Sequence, residues 1–587
     1  MRRTFLPAAL LAAFAFAFTM PATAQTPTAS AALQRLLADE WDRNQREYPE
    51  GATANGDHRF DDRWTDLSRA AIAAREAADR RALEAARRID RAALAADERL
   101  DLDVFVWQTE LAVARQPFRE WLEPINHQWG VQNADSITQV ARLRDGADFR
   151  NYVRRLQALP QHIDQVIALL REGIAAGQVP PRVLMARVPA QLRAQTVDDP
   201  AKSPFWRPFA RWPDSVPAAE RSALEADAAA AIRQQVVPAY HRLLQMFESE
   251  YLPKAPADVA ASSRPGGRAW YDLLARSYTT TELGADEIHA IGLAEVARLR
   301  AAMERLKDET GFRGPLADFF SFLRTDPRFF EKTPEALLAR YRALAKRIDP
   351  ELVKVFRHLP RLPYGVRPIP DNFAPDATTA YYQLGAPDGS RPGYYYVNLY
   401  KPESRPTWEM VPLTLHEAVP GHHLQFARAL EFEGVSMFRR TATFVGYAEG
   451  WALYAEQLGH EMGLYEDPYD RFGQLVYEMW RAVRLVVDTG LHVKGWTREQ
   501  AIDYFRANAP KTDQDIVNEV DRYIGTPAQA LAYKIGQLRI SALRERAQRE
   551  LGQRFDLRDF NDAVLATGSV PLAVLEARIG EWIAARR

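Results

Sequence analysis

From about Thr28 to Met303, apolar residues recur every three or four positions through stretches rich in Ala, Leu, Arg and Glu, as in SRAAIAAREAADRRALEAARRID and ERSALEADAAAAIRQQVVPAYHRLLQMF. That spacing matches the α-helical turn, so much of the chain can bury its apolar surface only as packed amphipathic helices. Proline and glycine punctuation such as QVPPRV and SSRPGGRAW separates them. The stretch ADEIHAIGLAEVARLRAAMERLKDETGF predicts a further long helix ending near Gly311, with His289 packed or solvated within it.

The texture changes near Leu359. HLPRLPYGVRPIPDNFAPDATTAYYQLGAPDGSRPGYYYVNLYKP is dense in Pro, Gly and Tyr, and its runs at 380–383 and 394–399 predict two short strands joined through APDGSRPG. Helical spacing resumes from Thr407 to about Glu461 and again from Asp467 to the C-terminus. The fold expected is therefore mainly α: a helical scaffold over 25–358, then a functional region over 359–587. That region comprises a small sheet (359–405), a helical segment (407–461) and C-terminal helices (467–587).

The chain opens MRRTFLPAALLAAFAFAFTMPATAQ, two arginines before an apolar run too short to span a bilayer and then an A-x-A ending. This predicts a signal peptide over residues 1–24, cut after Ala24, and a periplasmic or secreted protein with no membrane attachment after cleavage. The sequence has no cysteine, which excludes disulfides, thiol catalysis and a lipid-modified cysteine at the cleavage site. A net charge of −1 gives no basic surface for nucleic acid.

Just after the predicted sheet stands LTLHEAVPGHHLQ, Leu413 to Gln425. In the zinc helix motif HExxH the two histidines, four residues apart, share one ion and the glutamate serves as base. Here Pro420 occupies the place of the second histidine, and His422 and His423 follow. On a regular helix neither converges on His416: His422 lies about 120° off its face, and His423 about 10 Å further along. Pro420 cannot donate to the His416 carbonyl and crowds it, so the helix must kink or bulge, and Gly421 tolerates the dihedrals required. Looping out two residues brings His422 to the second ligand position; looping out three brings His423. The glycine directly before His422 favours the former. Three of the chain's 11 histidines within eight residues, beside Glu417, are better explained by a Zn2+ site than by packing.

A third ligand is expected from the next helix. GYAEGWALYAEQLG supplies Glu449 and, seven residues on and near the same face, Glu456 as a partner behind the ligands. Glutamate-type zincins place their third ligand a few tens of residues beyond the histidine helix, and Glu449 fits that spacing.

The motifs GSRPGYYYVNLY, LTLHEAVPGHHLQ, GYAEGWALYAE, RLVVDTGLHVKGWTREQA and GTPAQALAYKIG resemble those of the bacterial domain-of-unknown-function family 885. The resemblance implies a large helical zincin-like, gluzincin-type metallopeptidase body. It matches His416 and His422 or His423 to the metal-binding histidines, Glu417 to the general base and Glu449 to the acidic ligand.

Peptide hydrolysis also needs donors where negative charge develops. Arg484, Asp488 and His492 repeat every four positions along one helix as a polar stripe, and His492 is the first candidate for the oxyanion donor. Tyr533, which shares a face with Gln529, is the second, by analogy with the tyrosine and histidine pair of the larger helical zinc peptidases. The strand at 394–399 is expected to border the cleft and accept a peptide substrate at its edge, with Tyr395 and Asn398 as lining candidates. The function expected is an exported zinc metallopeptidase acting on short peptides. A zinc amidase acting on cell-wall peptides or another small amide, and a noncatalytic protein stapled by zinc, are the alternatives.

Overall fold

The computed structural model describes residues 28–371, 374–375 and 377–587; the expected signal peptide lies outside the described residues. The fold is mainly α, with one small sheet, as the periodicity predicts. SRAAIAAREAADRRALEAARRID forms helix α1 (Arg69–Arg87), whose N-cap Ser68 side chain accepts from the Ala71 N–H. The long helix read near Gly311 is α2 (Ala285–Glu309).

Around the centre lie α3 (Met410–Glu417), α4 (His422–Leu430), α5 (Val445–Met462), α6 (Pro468–Val493), α7 (Asp513–Gly525) and α8 (Leu531–Leu551). Helix α6 begins at a good start signal, Asp467 capping the Tyr469 N–H with Pro468 in the first turn. It then runs through the middle of the molecule, and every residue from Val476 to His492 is buried. Gly292 of α2 lies where a Cβ would come within 2.8 Å of Leu485 and Val486, so the two helices approach closely.

One hydrophobic cluster extends from Leu100 to Ile583. The texture change near residue 359 is therefore crossed by a common core.

The sheet has three strands, β1 (Tyr364–Pro368), β2 (Ala380–Gln383) and β3 (Gly393–Val397), in the order β1-β3-β2. The expected hairpin is present as the antiparallel pair β2 and β3, with Tyr382 opposite Tyr395. Strand β1 was not expected. It pairs parallel to β3, Val366 opposite Tyr395, through a long connection that leaves no hairpin signal. Because β3 is central, the strand expected to offer a free edge has none; among the described residues the edges belong to β1 and β2.

Candidate metal centre

The break in HEAVPGHH is where the centre is built. Helix α3 ends at Glu417, Ala418 turns out of helical geometry (φ −97°, ψ −106°), and α4 restarts at His422. The Val419–Pro420 bond between them is cis. The Gly421 N–H donates to the Leu415 carbonyl six residues back, 2.9 Å, where a regular helix would bond four back. Two residues are thus looped out, and the second helix resumes with His422 in the turn after His416. A Cβ on Gly421 would lie 1.9 Å from the His416 carbonyl oxygen, so only glycine fits. The Pro420 carbonyl, freed from any ladder, accepts from Trp451 Nε1 of α5 at 2.9 Å.

His416, His422 and Glu449 present one ligand atom each, all within 4.8 Å of one another. Glu449 Oε2 lies 3.5 Å from His416 Nε2 and 3.3 Å from His422 Nε2. Atoms about 2.0–2.1 Å from one tetrahedral ion are about 3.3–3.4 Å apart, so the two spacings to Glu449 suit one zinc ion. Glu449 Oε2 is also buried without a well-formed hydrogen bond, as an oxygen kept for a cation would be. Burial opposes ionisation of Glu449, yet the two imidazoles beside it hold its carboxyl well below the usual range.

Behind His416, its Nδ1–H donates to Glu456 Oε1 at 2.8 Å, which turns the Nε2 edge of the ring toward Glu449 and His422. Glu456 is fully buried and in turn meets Arg481 Nη2 at 3.3 Å. Burial pulls the His416 imidazole pKa down, but its bonds to Glu449 and Glu456 more than reverse this, to about 9.

His423 turns away from the centre. Its Nε2–H donates to the Leu362 carbonyl at 3.0 Å and its Nδ1 accepts from the Tyr382 hydroxyl at 2.9 Å. Burial holds this ring neutral, with a pKa near 4. His423 therefore fastens α4 to the sheet, and His422 is the histidine that faces His416 and Glu449.

A cavity of about 420 Å3 opens onto the ligands, lined also by Glu417, Tyr533, Arg484, Arg522 and Thr378–Tyr382 of the β2 segment. The Tyr533 ring stacks on His416, centroids 6.3 Å apart at 13°. Its hydroxyl oxygen accepts from Arg522 Nη2 at 3.0 Å, leaving the hydroxyl proton free to be donated elsewhere. Tyr533 is placed there by α8, whose backbone closes directly onto that of α5 at glycines: a Cβ on Gly536 would meet the Gly446 oxygen at 1.9 Å and the Gly450 Cα at 2.7 Å. The glycines of GYAEGW thus set the spacing between the helix of Glu449 and that of Tyr533.

Four expected site residues lie elsewhere. His492 is fully buried and bridges two backbones, accepting from the Ala261 N–H at 3.1 Å and donating to the Tyr523 carbonyl at 3.0 Å. With both ring nitrogens engaged, it has no donor to offer an oxyanion. Asp488 accepts from the Tyr271 hydroxyl at 2.7 Å and the Ala528 N–H at 3.1 Å, so of the α6 stripe only Arg484 reaches the cavity. Tyr395 is fully buried, its ring edge-on to Tyr341. Asn398 ties down the loop before β2, donating to the Ala374 carbonyl at 2.8 Å and accepting from the Tyr400 N–H at 3.0 Å. The sequence reading missed Arg481, Arg522 and Glu519. Their signal was weak, since single charges on amphipathic helices usually face solvent.

The sequence profile of the family described as "Bacterial protein of unknown function (DUF885)" matches residues 49–579. The chain belongs to the DUF885 family. Its fold is similar to "the crystal structure of the putative lipoprotein from Colwellia psychrerythraea", with a TM-score of 0.90 and 29% identity over 95% of this chain and 100% of that one. A second similar fold is that of "a putative lipoprotein of unknown function from Shewanella oneidensis", with a TM-score of 0.66 and 17% identity over 94% of this chain and 99% of that one. At that identity the second likeness concerns the fold alone. No curated protein matches the chain.

Proposed function

We propose that this DUF885 protein is an exported zinc-dependent metallopeptidase of gluzincin type acting on short peptides. The observation that carries the reading is the convergence of His416, His422 and Glu449 on one point at the wall of a cavity that Glu417 also lines. A bound zinc ion would act as a Lewis acid and lower the pKa of its water. Glu417, adjacent to His416 at the end of α3, is positioned to take the proton from the attacking water and pass it to the leaving amine. The Tyr533 hydroxyl, with its oxygen already occupied by Arg522, offers its proton to the developing oxyanion. The free edge of β2 borders the same cavity and suits an extended peptide, which adds to a sheet by main-chain hydrogen bonds.

A noncatalytic staple is less well supported, because structural zinc sites are usually closed by four protein ligands and have no use for an adjacent base. The descriptions of both similar structures as lipoproteins agree with an exported location, although this cysteine-free chain has no cysteine to lipidate. The test is zinc content together with an unbiased peptide-library digest of wild type and Glu417→Gln. The variant should keep one zinc per chain and lose about 10²–10⁴-fold in turnover. Undiminished hydrolysis by it would overturn the mechanism.

A further inference from the structure

Beside the metal ligands the cavity is walled by Arg481 and Arg484 of α6 and Arg522 of α7. Their counter-charges number fewer. Glu456 meets Arg481 at 3.3 Å, while Glu519 serves both of the others, at 3.0 Å from Arg484 and 3.4 Å from Arg522. Asp488, one turn beyond Arg484, is engaged by Tyr271 and Ala528 and makes no ion pair with any of the three. Three guanidiniums therefore share two carboxylates. At the metal end, the charge of a zinc ion would be matched by Glu449 and Glu417, so the excess positive charge stays with the arginines.

These arginines are not solvated surface groups. Arg481 and Arg484 are 4% and 2% exposed, and Arg481 Nε and Arg484 Nη1 are buried with no hydrogen-bond partner. A buried cation left undercompensated is costly, and an arginine fork is shaped for a carboxylate. We infer that this wall receives the C-terminal carboxylate of the substrate, which makes the protein a carboxypeptidase that releases short C-terminal fragments. The inference rests on the peptidase reading and names its substrate end.

Tyr533 sets the scale. Its ring centroid is 6.3 Å from that of His416 and 4.2 Å from Arg484 Cζ. The guanidinium is thus no further from the metal ligand than about three extended residues reach. A carboxylate held there puts the scissile bond one to three residues from the C-terminus. An oxyanion would also draw on this wall, but only in the transition state; a carboxylate is bound in the ground state as well.

The test compares a short peptide acid with its C-terminal amide and its N-acetylated form. Binding is measured by calorimetry to zinc-loaded Glu417→Gln, and products by mass spectrometry with wild type. The acid should bind at least about tenfold more tightly than the amide, the size expected for a charge-assisted pair. N-acetylation should change little, and products should be one to three C-terminal residues. In Arg484→Gln, and separately in Arg522→Gln should the first variant misfold, the preference should fall below about threefold. Equal affinity for acid and amide, no binding of either, or cleavage from the N-terminus overturns the carboxylate site. If the acid is preferred in binding but wild type cleaves nothing, the peptidase reading fails and the anion site stands. If wild type cleaves acid and amide equally well, the reverse holds.

Discussion

At position 421 there is no room for a side chain. A Cβ there would sit 1.9 Å from the His416 oxygen and 2.5 Å from that of Leu415, both backbone atoms of the helix that carries the first ligand. Gly421→Ala should therefore push α3 and α4 apart, costing on the order of 1–3 kcal/mol in stability by overpacking. Zinc stoichiometry after dialysis should fall well below that of wild type, and a variant that keeps full zinc would show that the bulge does not set the site. The two adjacent histidines should behave oppositely. His422→Ala should lose zinc, whereas His423→Ala should retain it and lose roughly 1–3 kcal/mol in urea unfolding, through the unpaired Tyr382 hydroxyl and Leu362 carbonyl. Zinc loss from both variants alike would remove the assignment. The sequence left this choice open because spacing alone does not say how many residues a proline bulge omits. The Gly421-to-Leu415 hydrogen bond answers two.

Between elements, the contact of α5 with α8 is backbone against backbone at Gly446, Gly450 and Gly536. Gly536→Ala should lower the melting temperature through about 1–3 kcal/mol of overpacking. It should also weaken catalysis more than zinc binding, because it moves Tyr533 relative to His416 and leaves Glu449 on its own helix. An unchanged melting temperature would show that the helices yield easily there. At this scale the sequence was partly legible. Periodicity marked the helices, and the tyrosine-rich runs on either side of APDGSRPG marked the β2–β3 hairpin. Strand β1 was hidden, since YGVRP is short, carries Pro and Gly, and pairs in parallel with a partner far along the chain. The α6 stripe misled for a related reason: residues four apart share a helix face, but a helix buried on all sides has a different neighbour at each turn. Arg484 meets the cavity, and His492 meets the backbones of Ala261 and Tyr523.

Across the whole molecule, buried histidines tie distant segments together and make the fold sensitive to acid. Burial lowers His492 from its ordinary value of 6.5 to about 4, and lowers His127, also helped by Arg187, to about 3. Groups with a depressed folded pKa bind fewer protons folded than unfolded. Their stabilisation is complete above pH 6.5 and is lost as pH falls toward 4 and 3. In His492→Gln the amide can replace both ring hydrogen bonds without titrating. Between pH 6.5 and 4, wild type should therefore lose stability more steeply than the variant, by up to about 1.4 kcal/mol per pH unit. Urea unfolding at pH 7, 5.5 and 4.5 measures this, and parallel slopes would show that His492 does not couple to the fold.

What the sequence by itself determined is local or compositional. Periodicity required helices, the Pro-Gly pair required a broken helix between the histidines, and the motifs assigned the family. That His416 and Glu449 would come together, with Glu417 beside them, could be read because ligand chemistry allows few residue types at such spacings. The tertiary structure alone decided which doubled histidine faces His416 and Glu449, that β2 rather than β3 presents the edge, and that the α6 histidine holds backbone. It also brought Arg522 and Glu519 from α7 to the cavity beside Arg484. These outcomes depend on which helix faces meet across long stretches of chain. That is settled by packing, glycine contacts and buried charge balance, none of which leaves a periodic mark in the sequence.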